Sequence, residues 1–189
     1  MHFIELLLLA IGLSMDAFAV AIIIGMTLAK ADNKSAVIVG LYFGIFQGAM
    51  PFIGYTTASW FAVRIASYSH WVAFIFLAAL GGKMIYSTVR DAKSEDDAPL
   101  DNVSKASLAP MAMLPLAFGT SVDALAAGVP LAFLYVDIVP AVLLIGVITF
   151  FLSAIGVRIG SAVGAKLQAK ATLAGGIILI LIGVWILLV

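Results

Sequence analysis

The sequence contains no cysteine, two histidines (His2 and His70), and only ten basic and ten acidic side chains among 189 residues. Without cysteine there is no disulfide, no thiolate metal site and no thiol nucleophile. Two histidines exclude a three-histidine metal centre and a His-x-x-x-His zinc pair inside one helix. Charged residues make up 11% of the chain, against about 25% in soluble domains, so there is too little charge to cover a water-facing surface. The formal net charge is zero and there is no basic stripe, which excludes a nucleic-acid partner that works by neutralising phosphates. No Gly-x-x-x-x-Gly-Lys-Ser/Thr loop is present, and Gly81-Gly82-Lys83 is not one. Nothing here could hold ATP.

What the chain has instead is apolar length. Hydrophobic residues make up 64% and the mean hydropathy is +1.20. A bilayer core of about 30 Å needs about 20 apolar residues in helix. Six segments qualify, roughly 4–28, 36–58, 69–89, 108–134, 138–160 and 171–189. Helix is the expected form, because an open sheet leaves unpaired backbone groups in lipid, and runs such as Ile177–Val189 do not alternate as barrel strands do. Leu6–Leu13 could pass for a signal-peptide core with Ala17-Phe18-Ala19 as a cleavage site. Glu5 rather than a basic residue precedes that run, however, and the hydrophobicity continues to Leu28, so it reads as a retained first helix. The fold expected is all-α and membrane-integral.

Polar residues gather in Arg90–Lys105, where Asp91, Glu95, Asp96, Asp97 and Asp101 read as a solvated linker. That divides the chain into 1–89, a cytoplasmic acidic linker over 90–106, and 107–189. Lys30, Lys34, Arg90, Lys93, Lys105, Lys166 and Lys170 fall at odd-numbered connections, so those are expected to be cytoplasmic and both termini outside. Lys83 and Arg158 are placed near cytoplasmic helix ends, able to snorkel, and receive no functional role.

The two halves repeat. Gly12-Leu-Ser-Met-Asp-Ala-Phe-Ala19 matches Gly119-Thr-Ser-Val-Asp-Ala-Leu-Ala126 at five of eight positions. Gly44 and Gly54 recur as Gly146 and Gly156, and Gly81-Gly82 as Gly175-Gly176. Three helices per half means the second half enters the membrane inverted, the plan of many secondary transporters. These glycines are expected to pack helices or to act as hinges. So are the ladders Gly40, Gly44, Gly48 and Gly156, Gly160, Gly164. His70 and Trp71 read as an interfacial anchor.

Asp16 and Asp123 are the only acids deep inside predicted helices. An ionised carboxylate there costs about 2.5–3.5 kcal/mol on insertion scales, so both are expected to face inward, toward each other and a cation. No basic residue is expected at their depth, which disfavours a fixed salt bridge and favours a mobile ion. Candidate oxygen ligands are Asp16, Asp123, Ser14, Ser121, Thr120 and Gln47, with carbonyls loosened near Pro115 and Pro130. Oxygen-rich sites suit Mg²⁺, Ca²⁺ or Mn²⁺, and a Met15 thioether would tilt the choice toward Mn²⁺. When the ion leaves, one or both acids should take a proton, which suggests exchange of metal for protons by alternating access.

The paired octets around Asp16 and Asp123, the six apolar runs, Phe43–Gly54 with its Met50-Pro51, His70-Trp71 and Leu80–Met84 together resemble the MntP-type manganese efflux pump family, within the LysE-like exporter group. The resemblance covers essentially the whole chain. It implies bacterial inner-membrane export of Mn²⁺, as transported substrate rather than cofactor, with Asp16 and Asp123 as the motif acids. It also implies an acid at the Gln47 position in some members, so glutamine leaves this site one charge poorer. Rival readings are export of Cd²⁺, another divalent cation or a small cationic metabolite, an intramembrane aspartyl protease, and a non-transporting membrane subunit. The protease reading lacks its usual Gly-x-Gly-Asp context.

Overall fold

The computed structural model describes residues 3–28, 32–62, 69–91, 108, 110–163 and 165–188. Among them every regular element is a helix: α1 (Phe3–Thr27), α2 (Asn33–Ala62), α3 (Ser69–Asp91), α4 (Pro110–Phe133), α5 (Ile138–Val163) and α6 (Ala165–Leu188). These lie close to the six apolar runs. The largest difference is at α6, whose first turns take in Lys166 and Lys170, expected in the fifth connection. The hydrophobic run marks the lipid-buried part of a helix, and the helix itself continues into the polar zone. Most of the linker over 90–106 lies outside the described residues.

α1, α2, α4 and α5 are long and apolar enough to cross a membrane, and α3 and α6 carry the shorter apolar stretches His70–Tyr86 and Leu173–Leu188. All six helices also turn large apolar side chains outward, among them Ile4, Ile45, Ile75, Phe118, Leu143 and Leu181. An apolar belt of that extent is not stable in water. The chain is a multi-pass membrane protein.

Without a strong hydrophobic drive between helices in lipid, close backbone approach holds a bundle together. The main packing partners are α1 with α5, α2 with α4 and α5, and α3 with α6, followed by α1 with α6 and α3 with α4. Glycines sit at the crossings. A β-carbon on Gly44 would lie 2.8 Å from the Gly146 carbonyl oxygen, and one on Gly146 would lie 3.0 Å from that of Gly44. Gly81 and Gly176 face each other in the same reciprocal way, at 2.4 and 2.7 Å. Such approaches bring Cα–H groups onto carbonyl oxygens across the interface.

Local caps fix the ends. Asp32 caps α2 by accepting the Ser35 N–H at 2.8 Å and the Ser35 hydroxyl at 2.5 Å. α4 ends with Val136 N–H donating to Leu131 O and Tyr135 N–H to Ala132 O, and Tyr135 adopts φ 51°. That is a Schellman ending, and α5 restarts at Ile138 after a short turn. Trp185 Nε1 donates to Glu5 Oε1 at 2.9 Å, so the start of α1 and the end of α6 share one end of the bundle. Arg158 donates to the Asn33 side chain at the opposite end.

Candidate functional site

The buried apolar side chains fall into two clusters. One includes Leu9, Leu13, Leu77, Leu80, Leu131 and Leu179. The other includes Ala17, Ile24, Val39, Phe43, Ala117 and Val157. The changeover falls at residues 14–16 of α1 and in the middle of α4. Asp16 and Asp123 occupy it, each the fourteenth residue of its helix, counting from Phe3 and from Pro110. Their carboxyl groups lie within hydrogen-bonding reach of each other.

A third charge joins them. Lys83 Nζ lies 2.5 Å from Asp123 Oδ1, with the lysine side chain 63% exposed and the aspartate 17%. The expectation that no basic residue reaches this depth is therefore wrong. So is the reading of Lys83 as a snorkelling residue near a helix end. Lys83 is the fifteenth residue of the 23 in α3, counting from Ser69, and its long stem carries the ammonium across to α4. The signal was present in the sequence: a lysine one residue after a glycine pair, inside an apolar run, needs an acid partner.

Buried polar groups surround the first octet. Ser14 is fully buried. Its hydroxyl donates to Ala10 O at 2.6 Å and meets the Thr149 hydroxyl of α5 at 2.7 Å. Gln47 Nε2 donates to Leu13 O at 2.7 Å, while its buried Oε1 has no hydrogen-bond partner. An orphan amide oxygen in a closed interior is costly unless water or a cation visits it. Ser121 is buried and donates to Ala117 O at 2.7 Å, and Thr120 to Leu116 O and Ala117 O at 3.1 Å each. These hydroxyls spend their protons on their own helix and keep lone pairs for another partner. Thr149 was missed from the sequence. It stands three residues after Gly146 as Gln47 stands three after Gly44, so carrying the repeat onto α5 would have found it.

The model of the family described as "Putative manganese efflux pump" matches residues 30–187. The chain belongs to that family. A "Putative manganese efflux pump MntP" from Desulfitobacterium hafniense (strain Y51) is 48% identical over 185 residues, covering 97% of this chain and 93% of that protein. One from Acetivibrio thermocellus is 46% identical over 187 residues (99% and 91%), and one from Mannheimia succiniciproducens 45% over 188 (100% and 97%). No solved structure matches the chain. The family is one of transporters, not enzymes, and the metal in its description is cargo rather than cofactor.

In this efflux-pump family member the other sequence candidates divide by position. Met15 sets its β-carbon against Gly175 of α6 and packs on the first core, which accounts for it as packing. Gly12 packs on Leu179 and Ile178, Gly54 on Leu125 O, and Gly156 on Phe18. Gly119 does not pack: it is exposed, and a β-carbon there would meet nothing within 4 Å. Gly82, beside Lys83, is likewise open, so of the two glycine pairs only Gly81 and Gly176 touch. α3 and α4 thus flank open space next to the Lys83–Asp123 pair. Among the described residues no cluster of three or more His, Asp or Glu side chains assembles. A divalent ion at the aspartates would use two carboxylates, with hydroxyl, amide, backbone or water oxygens completing its shell.

Proposed function

We propose that this chain exports Mn²⁺ from the bacterial cytoplasm across the inner membrane, in exchange for protons, by alternating access at the Asp16–Asp123 pair. One observation carries the reading: the two acids of the repeated octets come from different helices and bring their carboxyls together at mid-bundle. Two carboxylates match the charge of one divalent ion. The relatives, described as manganese efflux pumps, supply the metal.

Two inverted three-helix halves supply the moving parts. In favour of this, the packing pairs exchange when α1, α2 and α3 are swapped for α4, α5 and α6. At the level of residues, Gly54 of α2 approaches Leu125 O of α4, and Gly156 of α5 approaches Phe18 O of α1. Phe18 and Leu125 hold the same position in the two octets. The reciprocal pairs Gly44–Gly146 and Gly81–Gly176 then lie near the pseudo-two-fold axis.

All six helices cross the bilayer in this reading, α3 and α6 with their shorter apolar stretches. Lys34 at the start of α2 and Arg158 near the end of α5 mark the cytoplasmic end of the bundle. The Glu5–Trp185 end, with both termini, lies outside. Moving a divalent cation out against an inside-negative potential costs about 4.6 kcal/mol per 100 mV. Protons returning on the vacated carboxylates offset that cost.

The test is Mn²⁺ flux into liposomes containing the purified chain, followed by an enclosed metal-sensitive dye, with and without a pH gradient. Flux that the gradient drives and that disappears in Asp16→Ala is expected. Undiminished flux in Asp16→Ala would contradict the site, and flux indifferent to the gradient would contradict proton exchange.

A further inference from the structure

We propose that Lys83 is a tethered cation that holds the transport site when no metal is bound and sets the minimum charge an ion must carry to enter. The inference rests on the two-aspartate reading above and adds to it a specificity-determining residue.

The geometry is that of a stand-in ion. Lys83 Nζ sits 2.5 Å from Asp123 Oδ1, and its charge also acts on Asp16. An ammonium is a compact point charge on a flexible stem, so it can occupy a cation position and leave it without any helix moving. Space for that withdrawal exists on both sides. Gly82, next to the lysine, and Gly119, one turn before Asp123, each face open space. One residue earlier the helix is held firmly, because Gly81 packs on the Gly176 backbone of α6. The side chain is therefore free where the backbone is fixed.

The lysine also breaks the repeat. The matching stretch of α6 reads Gly175-Gly176-Ile177-Ile178 and carries no charge. One ammonium thus serves two carboxylates.

Selectivity follows from charge. A Na⁺ or K⁺ ion offers the aspartates the same single charge that Lys83 already supplies, and it must be drawn from solution. A divalent ion brings twice the charge and can be shared by Asp16 and Asp123. Competition has a second consequence: a site closed by its own ammonium about nine-tenths of the time binds its ion about tenfold more weakly than the same site left open.

The experiment uses the full chain in liposomes and reads the half-saturating Mn²⁺ concentration with Na⁺, or with choline at equal ionic strength. In Lys83→Met the half-saturating concentration is expected to fall about tenfold. Flux in that variant should also become inhibited by Na⁺ at roughly 0.1 M, a level where long-range charge effects are screened equally by choline. Lys83→Arg should keep wild-type ion selectivity. Because the chain has no native cysteine, Lys83→Cys gives the same comparison within one folded sample. Unmodified, it should behave as Lys83→Met; after reaction with an aminoethyl thiosulfonate, which restores the ammonium, it should regain resistance to Na⁺.

A lysine that merely ties α3 to α4 would lower stability on removal, without tighter Mn²⁺ binding or new Na⁺ sensitivity, and that result would overturn the proposal. So would a thiol variant unchanged by the reagent. Asp16→Asn, measured alongside, separates the two claims. Wild-type flux in Asp16→Asn sinks the two-aspartate site itself, whereas lost flux there with an unaltered Lys83→Met sinks only the tethered cation.

Discussion

An acid in a hydrocarbon setting is expensive enough to demand a partner, and the repeated octets set one on each of two helices, Asp16 on α1 and Asp123 on α4. Lys83 comes from a third helix: a lysine inside an apolar run signals an acid within reach, but periodicity within one helix does not say on which neighbouring helix that acid lies. Gln47 could be named as polar and deep, but not that its Nε2 would be taken up by Leu13 O while its Oε1 stayed unpartnered. Asp32 shows the same limit at the surface. The sequence places it between helices, and the structure shows it capping α2 through Ser35, whose hydroxyl and N–H hold the carboxyl below the usual aspartate range. A lowered carboxyl contributes stability above its unfolded value, about 3.9, and loses it as the pH falls through the folded one. Thermal unfolding in detergent should therefore find Asp32→Ala less stable than wild type at pH 7. The two should converge on acidification, and parallel curves would remove the cap from the account.

At the scale of the helix, boundaries followed from hydrophobicity to within a few residues, since a bilayer sets the length of what crosses it. Partner choice did not. The glycines singled out in the sequence were expected to pack helices or to act as hinges, yet those at crossings and those beside the site differ completely in their surroundings. A β-carbon on Gly54 would come within 2.0 Å of Leu125 O and one on Gly25 within 2.1 Å of Val157 O, both backbone atoms that cannot step aside. Gly54→Ala and Gly25→Ala should each lose about 1–3 kcal/mol by forcing helices apart. Gly82→Ala, with open space, should stay within about 0.5 kcal/mol of wild type. Denaturation midpoints of the purified variants would check the contrast, and equal losses at all three positions would contradict it.

For the molecule as a whole, the octets and recurring glycines are the basis of the two-part plan proposed above. The alternation of helix directions brings Glu5 and Trp185 to one end and Asn33 and Arg158 to the other. Which end faces the cytoplasm comes from basic-residue bias alone. Single cysteines introduced into the cysteine-free chain can test it with a membrane-impermeant thiol reagent on intact cells. A cysteine at Asp137, in the turn between α4 and α5, should be labelled from outside, and one at Lys34 should not. The reverse pattern would invert the direction of transport assigned here.

Most direct is a titration of Mn²⁺ into the purified protein, followed by the electron paramagnetic resonance signal of the free ion, for wild type, Asp16→Asn, Asp123→Asn and the double variant. A shared site predicts one ion per chain in wild type. It also predicts that either single substitution loses most of the binding, and that the double variant loses little more, because the two carboxylates act on one ion. Losses that simply add, or an affinity that neither substitution changes, would mean the acids do not meet around a common metal.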